Sequence, residues 1–150
     1  MLNRLETIFA SLRAHDVKYV VIGGIAAVLH GVPRATFDLD ILIEASPENA
    51  KRLLDALVDA RLGTAAMTSP QELLAKEITV FNDRVRIDVQ TATPGIRFDE
   101  VWPRRRTVEY AGEAFYVLSR DDLIASKRAA GRAKDLEDVR MLESGPPGEE

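Results

Sequence analysis

The segment TFDLDILIE, residues 36–44, limits the fold more than any other stretch of this 150-residue chain. Its residues alternate: Phe37, Leu39, Ile41 and Ile43 fall on one side of an extended backbone, and Asp38, Asp40, Leu42 and Glu44 on the other. A helix would scatter those apolar residues around its circumference, so the segment reads as a half-buried strand. Asp38 and Asp40 then stand about 6–7 Å apart on one side, where each must be solvated, paired or bound to a cation. Drawn to 4 Å, two ionised carboxylates repel by about 4 kcal/mol at an effective dielectric of 20, so a converging pair calls for a positive partner.

The flanking sequence predicts helices and further strands. Leu2, Leu5, Ile8, Phe9 and Leu12 recur at helical spacing over residues 2–15. KYVVI reads as a buried strand ended by Gly23 and Gly24, and IAAVLH as a short helix broken at Gly31 and Pro33. Ser46, ahead of Pro47 and Glu48, is placed to cap a helix closed by Gly63; residues 64–71 read as loop or helix start. EITVF and VRIDVQT predict a hairpin turning at Asn82 and Asp83, with Val85, Ile87 and Val89 inward and Arg84, Arg86, Asp88 and Gln90 outward. FDEVWPRRR reads as a short helix ending near Pro103, and TVEYAGEAFYVLS as a hairpin around Gly112. Ser119 caps the first of two C-terminal helices. The expectation is an α/β (α+β) fold: one domain over residues 1–143 and a disordered tail over 144–150.

Bulk properties remove several function classes. A chain of this length supports one core, burying roughly 70% of the surface its unfolded state exposes. A net charge of −4 leaves no global basic field for nucleic acid or anionic lipid. The absence of cysteine excludes disulfides, thiolate nucleophiles and sulfur-ligated metals. No apolar run approaches the ~20 residues of a membrane span, and the N-terminus lacks a signal-peptide core, so the expected location is cytoplasmic, with no membrane contact.

Asp38, Asp40 and Asp88 each fall on the polar side of a strand whose other side is apolar. His15 and His30 have no ligand spacing and read as surface or helix-end residues, which leaves oxygen donors and hence a hard cation such as Mg2+ or Mn2+. Magnesium typically binds one or two carboxylates together with substrate phosphates. Gly23 and Gly24, at a strand-to-helix junction, offer bare backbone N–H groups to a phosphate, or form a tight turn. Two familiar phosphate loops are ruled out: Ile25 and Val28 stand where a dinucleotide fingerprint needs glycine, and no Gly-Lys-Ser/Thr triplet occurs. Arg104, Arg105 and Arg106 read as a solvated strand start or as RNA-phosphate contacts, and Trp102 with Val101 and Phe98 as core.

The order IGG, then Arg34-x-Thr36-x-Asp38-x-Asp40, then an acid in RIDVQ, resembles the nucleotidyltransferase (DNA polymerase beta-like) superfamily. It is similar in particular to the antibiotic and the abortive-infection toxin-type members. The resemblance implies a small mixed sheet flanked by helices, with Asp38, Asp40 and Asp88 as catalytic residues and Mg2+ ligands. It also implies an NTP substrate contacted by Gly23, Gly24, Arg34 and Thr36, and an acceptor that is RNA, protein or a small molecule. DLIASKRAAGRAKDLEDVRML resembles a helical element of the toxin-type members, which puts Lys127, Arg132, Lys134 and Asp135 at the nucleotide; the same stretch also reads as an exposed, salt-bridged helix. Arg34, just before the metal strand, would reach the triphosphate or lock its loop by pairing with an acid. Gly24 stands where many members have serine, and little chain after Phe98 is left for a large acceptor domain.

The implied activity is Mg2+-dependent transfer of a nucleoside monophosphate from an NTP to a hydroxyl. The alternative is a non-catalytic nucleotide-binding protein or a toxin–antitoxin partner that keeps the fold.

Overall fold

The computed structural model describes residues 5–36 and 38–145; Leu2, Phe37 and most of the expected tail lie outside them. Six strands form one mixed sheet: β1 (Tyr19–Ile22), β2 (Leu39–Ile43), β3 (Ile78–Asn82), β4 (Arg86–Gln90), β5 (Arg106–Tyr110) and β6 (Glu113–Val117), in the order β3-β4-β2-β1-β6-β5. β2 runs antiparallel to β1 and parallel to β4, β6 runs parallel to β1, and the β3–β4 and β5–β6 pairs are antiparallel hairpins. Seven α-helices are found among the described residues: α1 (Glu6–Ala14), α2 (Gly23–Leu29), α3 (Pro47–Asp59), α4 (Pro70–Leu74), α5 (Phe98–Val101), α6 (Arg120–Ala130) and α7 (Ala133–Glu143).

Side-chain alternation decides which face is core. Leu39, Ile41 and Ile43 are buried on one face of β2. Val21 pairs with Ile41 and with Val117, so Phe115, two residues before Val117, shares that face. Phe9 of α1 stacks on Phe115 with ring centroids 4.0 Å apart. α3 lies beside α1, tied by the Ser11 hydroxyl donating to the Ala56 carbonyl at 2.6 Å. The opposite face carries Asp40. Leu42, on the side expected to be polar, is also buried, so β2 is a central strand whose partly exposed residue is Asp40.

Local chemistry sets the ends of these elements. Ser46 and Ser119 cap α3 and α6, accepting from the Asn49 and Asp122 amides at 3.2 Å. α3 stops at Asp59, short of Gly63, and residues 64–71 hold a 3-10 turn and the start of α4, which Ser69 and Glu72 cap reciprocally. α7 ends at Glu143, and Ser144 and Gly145 close it through bonds back to its last carbonyls. His15 and His30 sit at the ends of α1 and α2, bonded to Asp59 and to the Leu118 carbonyl. Of the arginine triplet, Arg106 is the exposed start of β5, as expected, whereas Arg104 and Arg105 are engaged with neighbours. Arg104 holds Asp122 with two bonds of 3.0 and 2.9 Å, and the Arg105 guanidinium lies 3.7 Å over the Trp102 ring. No helix among the described residues is long and apolar enough to cross a membrane.

Candidate functional site

Sheet register assembles the acidic floor. Asp40 of β2 lies opposite Asp88 of β4 in the parallel pair, which places the two side chains next to each other on one face. Asp38, just before β2, is half-exposed on the same side. Arg86 stands two residues before Asp88 and grips it with two bonds, Nε to Oδ1 at 2.9 Å and a terminal nitrogen to Oδ2 at 3.3 Å; Asp38 is 3.9 Å from the same Nε. Asp40 has no such cation. Burial first, then the charge of Asp88 and a hydrogen bond shared with it, then Asp38, raise Asp40 from the ordinary carboxylate value to about 7, with Arg86 opposing only in part.

Glycine makes room for this floor. Gly23 begins α2 with φ +69°, in the left-handed region, and a Cβ there would stand 2.3 Å from Asp40 Oδ2. A Cβ on Gly24 would lie 3.0 Å from the Thr36 hydroxyl oxygen. The pair ends β1 and opens the first turn of α2, as expected, and any side chain at Gly23 would displace the Asp40 carboxylate.

α6 and α7 build the facing wall. The chain reverses between them at Gly131 (φ +69°), so Lys127 of α6 meets Asp135 and Asp138 of α7. Lys127 Nζ is 2.9 Å from Asp138 Oδ2 and 3.7 Å from Asp135 Oδ1; Arg34 reaches the other Asp138 oxygen at 3.0 Å. Arg132 clamps Asp135 through Nε at 2.6 Å, a terminal nitrogen at 3.2 Å and its own amide at 3.3 Å. Burial alone would raise Asp135, but the Arg132 bonds and the charges of Arg132 and Lys127 outweigh it and hold its carboxyl below the usual range. Lys127, Asp135 and Asp138 are buried, which rules out a wholly exposed salt-bridged helix. Asp138 is held by ion pairs alone, with no aligned hydrogen bond to either oxygen. Lys134 is exposed and has no ion-pair partner among the described residues.

Floor and wall enclose a cleft of about 470 Å³. All eleven residues expected from the sequence line it: Asp38, Asp40, Asp88, Gly23, Gly24, Arg34, Thr36, Lys127, Arg132, Lys134 and Asp135. Sequence reasoning missed Arg86, although its period-2 relation to Asp88 placed it on the polar side of β4. It also missed Asp138, one helical turn from Asp135. As a cation site the floor offers two neighbouring carboxylates, Asp40 and Asp88, with Asp38 beside them at the same cleft; Arg86 holds Asp88 and lies 3.9 Å from Asp38. No three acidic, imidazole or thiol side chains already converge as a ligand set among the described residues. Two carboxylates completed by oxygens of a bound phosphate are a donor set that magnesium uses, and the burial and neighbouring acid charge that raise Asp40 are what a cation would offset. The wall supplies cations and the floor acids, an arrangement suited to holding a polyphosphate at one end and a metal at the other.

A family model described as "Nucleotidyltransferase of unknown function (DUF6036)" matches residues 2–143. No curated protein matches the chain. Among solved structures, a Thermotoga maritima protein provisionally described as a nucleotidyltransferase is similar with a TM-score of 0.61 at 20% identity, over 95% of this chain and 91% of that one. An antigenic nucleotidyltransferase-like protein from Paracoccidioides brasiliensis is similar with a TM-score of 0.56 at 17% identity, over 93% of this chain and 73% of the other. At these identities the structures share the fold.

Proposed function

The chain belongs to the family of nucleotidyltransferases of unknown function matched over residues 2–143, and from that premise we propose that it moves a nucleoside monophosphate from an NTP onto a hydroxyl, with Mg2+ or Mn2+ held by Asp38, Asp40 and Asp88. The observation that carries this reading is the register pairing of Asp40 with Asp88, an under-neutralised acid pair facing a cationic wall across one cleft.

In the transfer, the acceptor oxygen bonds to the α-phosphorus, the bond from that phosphorus to the bridging oxygen breaks, and pyrophosphate leaves with the electron pair. Asp88 is placed to accept the hydroxyl proton: it lines the cleft beside Asp40, and the Arg86 fork fixes the direction of its carboxylate. Arg34, Lys127, Arg132 and Lys134 line the cleft where phosphate oxygens need positive charge, and Thr36 adds a hydroxyl donor. Gly23 and Gly24 keep the floor open to close approach. Bound at these acids, the cation would supply neutralisation of the charge that builds on the phosphate and leaving oxygens.

Isothermal titration with each of the four NTPs, with and without Mg2+, tests this on the wild type and on Asp40→Asn. Binding that requires the metal and is lost in the variant is expected, with transfer to an acceptor down by at least about 10³-fold. Absence of NTP binding by the wild type under every condition would overturn the reading, as would wild-type turnover in the variant.

A further inference from the structure

A second cleft, of about 520 Å³, opens on the same face of the sheet as the acids, one step farther along the strands. β2 carries the relation: Asp40 lines the first cleft and Leu42, two residues on and so on the same face, lines the second. About 6–7 Å of strand separates them. β4 repeats the pattern, with Gln90 beside Leu42 in register and lining the first cleft. The chain leaving β4 lines the second through Thr91, and Thr93 lines both.

The two clefts differ in chemistry. The first is walled by charges; the second is walled by Leu42, Ile96, Phe98 and Trp102. Its aromatic wall is fixed in place: the Phe98 and Trp102 rings stack at 5.4 Å, Tyr116 meets Trp102 edge-on at 5.3 Å, and Arg105 lies over the indole at 3.7 Å. The charged side chains at the rim are spent on neighbours, Glu44 on Lys18 at 3.6 Å and Arg97 on Asp99 at 3.3 Å. Among the described residues lining this cleft a phosphodiester backbone would meet a single cation, Arg97, already paired with Asp99, beside the acids Glu44 and Asp99, on a chain whose net charge is −4.

We propose that this second cleft is the acceptor site, and that the acceptor is a small uncharged alcohol whose aromatic or alicyclic body rests on Ile96, Phe98 and Trp102. This assignment rests on the transferase reading above. Volumes of about 470 and 520 Å³ each suit a ligand of ordinary size, so an NTP and an acceptor can be held side by side without sharing space. The acceptor hydroxyl then approaches from the Leu42–Gln90 side, its oxygen bonds to the α-phosphorus, its proton passes to Asp88, and pyrophosphate departs. RNA is the acceptor that the rim disfavours.

The test fills the cleft from its exposed edge. Ala92→Trp and, from the opposite side, Ala45→Trp place an indole in the cavity without touching the acids or the cationic wall. Calorimetric titration with 2-naphthol, a flat uncharged alcohol, should show one site on the wild type, weakened at least tenfold in both variants, while affinity for Mg2+ with each NTP stays unchanged. No 2-naphthol binding by the wild type, or equal binding in both variants, overturns the inference. So does a parallel loss of NTP affinity, which would place the nucleoside in this cleft, and so does equal transfer of α-labelled nucleotide to RNA by wild type and Ala92→Trp. Failure of the transferase reading looks different: the wild type would bind no NTP, and the acceptor role would fall with it even if 2-naphthol bound.

Discussion

Asp40 on the sheet and Asp138 on α7 are both drawn out of bulk water, and their surroundings leave opposite remainders. Asp138 is buried between two cations, Lys127 and Arg34, which pin the two C-terminal helices to the loop before β2. Asp40 faces Asp88 and Asp38, and Arg86, the arginine that opposes its shift, is gripped by Asp88. The charge of Asp138 is met within the protein and holds position, whereas negative charge on the floor is in excess and awaits a partner from outside. The same residue type therefore does structural work in one place and is set up for ligand chemistry in the other.

The sharpest way to break this comparison is to remove each carboxylate in turn. Asp138→Ala strands Lys127 and Arg34 without their anion, and removal of one partner of a buried ion pair costs about 3–5 kcal/mol. Asp40→Asn relieves repulsion and should leave unfolding stability equal or higher. Urea unfolding of the two variants checks both, and comparable losses would show that the floor is as much a structural network as the wall.

A smaller effect is expected from pH. The folded state holds a proton on Asp40 up to about pH 7, whereas the unfolded chain releases it near 3.8, so the folded state binds more protons between these values. Stability from this group is therefore fully present below the unfolded value and is lost as pH rises through about 7. Metal-free protein should lose roughly 2 kcal/mol between pH 5 and pH 7 from this source. Asp135, held below the usual carboxylate range, is ionised throughout that window and adds no slope. Thermal unfolding in EDTA should show the decline in wild type and a flatter profile in Asp40→Asn, and Mg2+ should restore stability at the upper end. Identical profiles for the two proteins would remove the excess charge from the account.

Floor and wall also differ in how far the sequence disclosed them. Asp38, Asp40 and Asp88 were legible because strand alternation reports side-chain direction directly, and an acid on the polar side of an apolar strand stands out. Arg86 was visible on the same side as Asp88, but alternation does not say which polar neighbours will pair. Register between strands was hidden: that Asp40 would face Asp88 follows from β4 pairing with β2, and that β6 would sit beside β1 follows from contacts far apart in the chain. The wall was reached only through family resemblance, because hydrophobic pattern misleads on α7. Leu136 and Met141 are exposed there and Asp135 and Asp138 are buried, the reverse of what polarity suggests. Such burial depends on cations brought from α6 and from the loop before β2, and one helix read by itself cannot show them. The glycine pair was found for its backbone freedom, whereas its contact with the Asp40 carboxylate exists only in the folded arrangement.

The smallest effect belongs to Lys134, and it sharpens the comparison most finely. The other cations lining the cleft are already engaged: Arg34 by Asp138, Lys127 by Asp138 and Asp135, Arg132 by Asp135 and Arg86 by Asp88. Replacing any of them disturbs an acid as well as a ligand, so a loss of binding would not separate position from contact. Lys134 has no ion-pair partner among the described residues, and Lys134→Gln removes a charge from the cleft while leaving the ion-pair network intact. An exposed lysine meeting a phosphate contributes little, so NTP affinity should fall only about threefold, with a shallower dependence on salt and no change in unfolding stability. Titration calorimetry at two ionic strengths measures both quantities. An unchanged affinity would mean that the phosphates are carried by the paired cations alone, and the wall would then act as a rigid frame whose charges are shared between its own acids and the ligand.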